Sequence, residues 1–169
     1  MTRALPPARV AGPYAIGLVC LGNICRSPMA DVVLAARVVE AGLDDRVTVA
    51  SCGTGDWHVG QPMDRRAAAT LTSAGYDPSR HRAQQLDASW FPRFDVLLAM
   101  DAANLADVTS LTGERGRVLL FRSFDPLEPG GEVPDPYYGG DSGFEEVLAM
   151  VQRTSESILA ALREELARP

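Results

Sequence analysis

Residues 14–29 have the sequence Y-A-I-G-L-V-C-L-G-N-I-C-R-S-P-M, from which the class of fold can be predicted. Tyr14 to Cys20 form a short apolar run of the kind found in buried parallel strands. Ser27 and Pro28 predict the start of a helix, with serine as the N-cap and proline at the first helical position. The stretch therefore predicts a strand, a tight loop and a helix.

The same alternation continues along the chain. Apolar runs predict further strands, helical spacing predicts helices, and a run rich in proline and glycine predicts an irregular loop. The strands are expected at 47–51, 95–100 and 118–121, the helices from Pro28 up to Gly42 and at 63–74, 104–111 and 144–166, and the loop at 126–140. This order predicts an α/β fold: a single domain with a four-stranded parallel sheet, helices on both faces and a phosphate-binding loop after the first strand. Residues 1–13 contain three prolines and lack periodicity, so we expect a flexible leader there and the domain itself at 14–169.

Composition excludes several classes of function. The chain has 169 residues and a net charge of −6, and all 16 of its basic residues are arginine. This balance argues against nucleic-acid binding, and the lack of lysine excludes Schiff-base chemistry and lysine-containing phosphate loops. The three cysteines form no C-x-x-C pair, and with only two histidines a zinc site of the usual spacing cannot be assembled, so we expect no metal and no cofactor. The cysteine count fits a reducing, cytoplasmic compartment, and no apolar run is long enough to span a membrane.

The loop that follows the first strand has the residues needed to bind an oxyanion. Ligands of open parallel sheets bind beyond the carboxyl ends of the strands, which is where Cys20 lies. Gly22 permits and Asn23 tolerates a left-handed backbone, so successive amide groups can point at one centre. The amino end of the helix adds its dipole, and Arg26 adds a planar fork that binds two oxygens. The same groups would stabilise a thiolate at Cys20, so the loop predicts a nucleophile and a phosphate pocket together.

The motif V-C-L-G-N-I-C-R-S-P-M-A, residues 19–30, resembles the phosphate loop of the low-molecular-weight protein tyrosine phosphatases. Further segments resemble that family in the same order, over roughly residues 14–165. They are S-C-G-T at 51–54 followed by Trp57, H-R-A-Q-Q-L at 81–86, D-V-L-L-A-M-D at 95–101 and V-P-D-P-Y-Y-G at 133–139. The resemblance implies hydrolysis of phosphotyrosine in proteins. It also implies phosphate or vanadate-like anions as ligands, and we expect a monomer.

The resemblance also implies the catalytic roles. Cys20 would be the nucleophile that forms a cysteinyl-phosphate, and Ser27 would donate a hydrogen bond to its sulfur. Asp135 would be the general acid and then the base, and Pro136 keeps that residue extended. Arg26 would hold the phosphoryl oxygens together with the backbone amides of Leu21, Gly22, Asn23, Ile24 and Cys25.

The remaining site residues would support this set. Asn23, Ser51 and His81 would form a hydrogen-bonded group that holds the loop. Asp101 would either orient Arg26 or cap the helix at 104–111, and both alternatives stay open. A deep aromatic slot that admits phosphotyrosine but not phosphoserine would be formed by Trp57, Tyr137 and Tyr138. Cys25 would pair with an oxidised nucleophile and protect it.

Three alternatives have to be weighed against phosphotyrosine hydrolysis. Arsenate reductases on this scaffold need further cysteines, and the segment 86–100 has none. Protein-arginine phosphatases of the family tend to carry threonine where this chain has Ile24, and tend to lack the paired tyrosines. A non-catalytic phosphate-binding module would be expected to have lost Cys20, Arg26 or Asp135. The residues present favour the phosphotyrosine phosphatase.

Overall fold

A central sheet of four parallel strands organises the computed structural model, which describes residues 3–169. The strands are β1 (Tyr14–Cys20), β2 (Val47–Gly53), β3 (Val96–Ala99) and β4 (Val118–Leu120). Their order in the sheet is β2-β1-β3-β4, and every neighbouring pair is parallel. The predicted four-stranded parallel sheet is confirmed.

Helices cover both faces of the sheet, as predicted. They are α1 (Arg26–Glu40), α2 (Arg65–Ser73), α3 (Trp90–Arg93), α4 (Ala102–Leu111) and α5 (Asp141–Leu166), with 3-10 turns at Arg115–Arg117 and Phe121–Phe124. Successive residues of a strand point to opposite faces, so β1 divides its side chains between two cores. Ile16 and Leu18 pack in the core that includes α1 and α5, whereas Val19 packs with Trp90 and Val108 on the other face.

The limits of several elements differ from the sequence-based ones. β2 continues to Gly53, which pairs with Cys20. A side chain at Gly53 would come within 2.6 Å of the Leu21 carbonyl oxygen, so the absence of a Cβ lets the end of β2 lie against the loop after β1. The helix α3 was not predicted, because a single turn of four residues is too short to show helical periodicity.

The segment before β1 is anchored over its described part, residues 3–13. Leu5 is buried in the main core, and the Tyr14 hydroxyl donates to the Pro6 carbonyl oxygen over 2.7 Å. The Arg9 amide donates to Asp95 and its Nε donates to the Phe94 carbonyl oxygen. Residues 3–13 are thus held against the domain, unlike the flexible leader expected for 1–13. The bonds of Arg9 join residues 86 and 85 positions apart, so no local sequence pattern indicates them. Residues 1 and 2 lie outside the described residues, and a domain boundary at residue 14 stays a prediction.

Within residues 3–169, no helix is both long enough and apolar enough to cross a lipid bilayer.

Candidate active site

The loop between β1 and α1, residues 20–26, is called the phosphate loop here. It lies at the carboxyl edge of the sheet, where the chain leaves β1 for β2 on one side and later returns to β3 on the other. Backbone hydrogen bonds tie the loop to the segment after β2: Thr54 donates to the Cys20 carbonyl oxygen and Gly55 donates to that of Leu21. The Asp64 amide donates to the Ile24 carbonyl oxygen over 2.9 Å. Three carbonyl groups of the phosphate loop are therefore bonded to backbone amides that lie outside the loop.

Asn23 fixes the shape of the phosphate loop. Among the described residues it is the one non-glycine residue in the left-handed region, with φ of 56°, and it is fully buried. Its side-chain amide donates to the hydroxyls of Ser27 (2.9 Å) and Ser51 (3.0 Å), and its Oδ1 accepts from the Gln84 amide (3.0 Å). These bonds hold Asn23 in a left-handed backbone conformation that most residues other than glycine rarely adopt.

His81 supports the same residue from the other side. Its Nε2 lies 2.7 Å from the Asn23 carbonyl oxygen. Burial lowers the pKa of His81 below its ordinary value, so the imidazole is neutral near pH 7. A carbonyl oxygen can only accept, so the single ring hydrogen is on Nε2 and is donated to Asn23.

The Cys20 sulfur lies within reach of two hydrogen-bond donors. Its Sγ is 3.0 Å from the Ser27 hydroxyl, and the Asn23 amide donates to it over 3.3 Å. Ser27 Oγ already accepts from the Asn23 side chain, so its own hydrogen is free for the sulfur or for the Cys52 carbonyl oxygen at 3.4 Å. The sulfur is the nearer acceptor. The site is therefore built to stabilise negative charge on Cys20.

Ser27 is not the N-cap that the sequence predicts. α1 begins at Arg26 with Cys25 in the N-cap position, so Ser27 lies inside the first turn. Its hydroxyl is turned to Cys20 and Asn23 instead of back to the helix amides. The amide groups at the start of the helix are thereby left available to an anion.

Arg26, the last residue of the phosphate loop, is held in place by several partners. The guanidinium is buried, and its Nη1 donates to Asp101 Oδ2 (2.6 Å) and to the Val133 carbonyl oxygen (3.1 Å). Its Nη2 lies 3.6 Å from Asp135 Oδ2. Asp101 also accepts from the Asn104 amide through its other oxygen, over 2.7 Å. The two alternatives for Asp101 are thus not exclusive, because one carboxylate orients the arginine and caps α4.

A cavity of about 340 Å³ opens over the phosphate loop. The loop forms its floor, and the walls are Trp57, His58, Asp135, Tyr137 and Tyr138. The aromatic side chains lie at the mouth, since Trp57 is 66% exposed and Tyr138 is 91% exposed. This differs from the deep aromatic slot expected from the sequence, because residue type does not show how far a loop stands out from the core.

The structure brings all the predicted site residues to this cavity or into contact with its floor. Sequence reasoning missed His58, the Gln84 amide and the Val133 carbonyl group. His58 follows Trp57 directly, which was the available signal, whereas backbone groups carry no signal in residue type. A larger, more open groove of about 840 Å³ lies between α2 and α5, and its lining contains neither cysteine nor histidine. We therefore assign the site by its chemistry and not by cavity size.

The two other cysteines are buried, and all three are free thiols. Burial, with a smaller contribution from nearby charges that include Asp64, raises the pKa of the Cys25 thiol far above its usual range. Burial likewise raises the pKa of Cys52. Both therefore remain protonated near neutral pH, unlike a catalytic thiolate.

Known proteins resemble this chain in sequence and in fold. Residues 15–168 match the family model "Low molecular weight phosphotyrosine protein phosphatase". A low molecular weight protein-tyrosine-phosphatase of Streptomyces coelicolor is 48% identical over 158 residues, which cover 90% of this chain and 96% of the relative. YfkJ from Bacillus subtilis superposes with a TM-score of 0.86 at 31% identity, covering 94% of this chain and 99% of that one. A protein tyrosine phosphatase from Entamoeba histolytica, with Hepes in its active site, gives a TM-score of 0.85 at 32% identity, covering 89% and 97%. This chain belongs to the low molecular weight phosphotyrosine protein phosphatase family.

Proposed function

We propose that the chain hydrolyses phosphotyrosine in proteins through a cysteinyl-phosphate at Cys20. The observation that carries the proposal is the position of the Cys20 sulfur. It lies 3.0 Å from the Ser27 hydroxyl, on the floor of a cavity that also contains Arg26 and Asp135. Phosphoryl transfer through a covalent enzyme intermediate needs a nucleophile, a group that binds the oxyanion and a carboxyl group that transfers a proton. This cavity contains all three.

In the first step the Cys20 thiolate attacks the phosphorus atom. A sulfur–phosphorus bond forms while the bond from phosphorus to the tyrosine oxygen breaks, and protonated Asp135 gives its proton to the leaving phenolate. The guanidinium of Arg26 and the loop amides hold the non-bridging oxygens, whose charge is spread over the transferring group. Buried contacts to Asp101 and Val133 keep the guanidinium from turning away.

In the second step a water molecule attacks the cysteinyl-phosphate. Asp135, now a carboxylate, takes a proton from that water, and the sulfur–phosphorus bond breaks. The Ser27 hydroxyl and the Asn23 amide donate to the departing thiolate, so the charge that returns to Cys20 is stabilised as it forms. Inorganic phosphate leaves and the initial state is restored.

The walls of the cavity support an aromatic phosphate ester as the substrate. Trp57, Tyr137 and Tyr138 present aromatic faces at the mouth, where they can pack against a phenyl ring. The floor residue Ile24 is buried and apolar, and offers no hydroxyl to a phosphoguanidine group. Hepes, whose sulfonate resembles phosphate, lies in the active site of the Entamoeba relative, which supports anion binding in this cavity.

The proposed substrate is tested with one peptide carrying phosphotyrosine, phosphoserine or phosphoarginine at the same position. We expect kcat/KM for phosphotyrosine to exceed the other two by at least about 100-fold, because the aromatic mouth contributes binding only to the ring. Vanadate should compete with the peptide. Phosphate release from phosphoarginine at an equal or higher rate would reject the proposed substrate, and binding of phosphate with no turnover of any peptide would identify a non-catalytic module.

Reversible oxidation is the second part of the proposal. Peroxide converts the Cys20 thiolate to a sulfenic acid and releases hydroxide; the Cys25 thiol then condenses with it to form a disulfide and water. Cys25 borders the same cavity, and its protonated state makes Cys20 the first target.

The oxidation is tested by peroxide treatment followed by a dithiol reductant. We expect the unmodified chain to recover most of its activity, and Cys25→Ala to lose most of that recovery, because its sulfenic acid proceeds to higher oxidation states. Cys52→Ala is the matched control, since it removes another buried thiol and should recover normally. Equal recovery of Cys25→Ala and the unmodified chain would contradict the disulfide.

Free buried thiols support a reducing compartment, and we infer a cytoplasmic location and action as a monomer. Sedimentation at working concentration tests the monomer, which a dimer mass would contradict.

A further inference from the structure

Arg122 is buried at the start of the segment that carries Asp135. Residues 125–140 contain neither helix nor strand, and the part from Asp125 to Glu132 is hydrogen-bonded to this one side chain. Its Nε donates to Asp125 Oδ2 (2.8 Å), its Nη1 to the Glu132 carbonyl oxygen (2.6 Å) and its Nη2 to Glu128 Oε2 (2.8 Å). The residue is only 3% exposed. One guanidinium therefore joins three points of the segment, and the proposed mechanism leaves it without a role.

The first of these points is fixed to the rest of the fold. The Asp125 side chain is fully buried and also accepts from Arg153 of α5, over 2.9 and 3.0 Å. Burial alone would raise its pKa, but the hydrogen bonds from Arg153, the Leu127 amide and Arg122 outweigh it and hold the pKa of Asp125 at about 2. Asp125 is thus a carboxylate at any working pH, and it anchors Arg122 to the longest helix.

The second point leads directly to the proposed general acid. The Glu132 carbonyl group, held by Arg122, is followed by Val133, whose amide donates to the Met100 carbonyl oxygen (2.8 Å). The Val133 carbonyl oxygen accepts from Arg26. Asp135 comes two residues later, between two prolines that restrict the backbone. Only Val133 and Pro134 separate the point held by Arg122 from Asp135, so we expect a displacement at Glu132 to move the carboxyl group of Asp135.

Gly131 shows how closely the segment fits this arginine. A Cβ at Gly131 would lie 2.8 Å from Arg122 Nη1, which is shorter than real Cβ contacts, and 3.0 Å from its Cζ, which is tighter than most of them. Glycine here lets the backbone pass directly over the guanidinium. The shape of the segment and the position of the arginine are thus mutually dependent.

We propose that Arg122 is a positioning residue for the general acid: it sets where Asp135 stands relative to Arg26 without touching the substrate. The proposal rests on the proposed function. A planar guanidinium with several donors in fixed directions can join the three acceptors, whereas a lysine ammonium is a single point of charge on a flexible stem. Arg122→Lys thus keeps the positive charge but removes the fixed directions of the guanidinium donors.

The test measures kcat/KM of Arg122→Lys on phenyl phosphate and on 4-nitrophenyl phosphate. A phenolate is a poor leaving group that needs the acid, whereas 4-nitrophenolate needs it much less. We expect kcat/KM to fall about tenfold on phenyl phosphate and less than about threefold on 4-nitrophenyl phosphate. The larger loss stays below the full contribution of a general acid, because Asp135 is displaced and not removed. Arg115→Lys, at an exposed position, should change neither value. Equal losses on the two esters would overturn the proposal, because a merely structural defect does not distinguish leaving groups.

A double variant separates action through Asp135 from any other effect. If Arg122 acts by placing that carboxyl group, adding Arg122→Lys to Asp135→Ala should cost no further activity on phenyl phosphate. Losses that multiply would show that the two residues act independently and would overturn the proposal.

Gly131→Ala provides a second route should Arg122→Lys fail to fold. The added methyl group displaces the segment from the guanidinium and should produce the same selective loss on phenyl phosphate; an unselective or absent loss would overturn the proposal. Activity of the unmodified chain on the same two esters separates the proposed function from the positioning role of Arg122. Failure of the unmodified chain to hydrolyse either ester rejects the proposed function, whereas an active chain whose Arg122 and Gly131 variants show no selectivity rejects only the positioning role.

Discussion

Cys20→Ser is expected to lower turnover of phosphotyrosine substrates by at least about 10⁴-fold, the scale seen when a covalent nucleophile is removed. A serine hydroxyl is not ionised at neutral pH, and the groups bonded to Cys20 Sγ, Ser27 Oγ and the Asn23 backbone amide, are donors that do not take its proton. Asp135, the base of the proposed second step, is protonated in the first. A site built from donors stabilises an anion but does not remove a proton. The loss should therefore appear in the chemical step, measured as release of 4-nitrophenolate in a single turnover.

Phosphate binding should survive the same change. In the proposed mechanism the oxyanion is held by Arg26 and by backbone amides, none of which Cys20→Ser alters, so calorimetric titration should give a Kd within about threefold of the unmodified chain. Cys52→Ala serves as the control, since its buried thiol lies outside the cavity lining and its replacement should leave turnover intact. An active Cys20→Ser variant would refute the nucleophile. Loss of phosphate affinity together with turnover would instead indicate a damaged loop.

The parts of the fold that sequence could predict are those specified locally. The apolar run of β1, the glycine and asparagine of the phosphate loop and the periodic apolar residues of α1 each act on neighbours within a few positions. The anchoring of residues 3–13 could not be predicted in this way, because Arg9 finds its partners at Asp95 and Glu114, far along the chain. A proline-rich segment looks the same in sequence whether or not such partners exist.

The candidate site also has features that residue type indicates and features that depend on tertiary packing. Cys20, Arg26 and Asp135 carry distinctive side chains in a distinctive order, and the structure brings them together. The exposure of Trp57 and Tyr138 and the true start of α1 depend on how loops pack, which residue type does not encode. Arg122 lies outside any motif, and its role becomes visible only in the structure, where it is buried and bonds three acceptors of the segment before Asp135.

Asp135→Ala is expected to lower kcat/KM by about 10²- to 10³-fold on phenyl phosphate, and by no more than about tenfold on an ester with a much better leaving group, such as 2,4-dinitrophenyl phosphate. The reason is the charge on the leaving oxygen. A phenolate must be protonated as its bond to phosphorus breaks, whereas a dinitrophenolate leaves as a stable anion. Asp135 is suited to the task because its side chain is 41% exposed at the cavity wall and its backbone is held extended by the following proline.

The test also has to separate loss of the acid from loss of Arg26 placement, since the two side chains lie 3.6 Å apart. Arg26 keeps its bonds to Asp101 and Val133 in Asp135→Ala, so inhibition by vanadate should change by less than about threefold. Glu145→Ala, which removes an exposed carboxylate of α5, should leave both esters unaffected. Equal slowing of the two esters would remove the role of Asp135 as the acid. A large rise in the inhibition constant of vanadate would show that the carboxylate instead serves to hold the arginine.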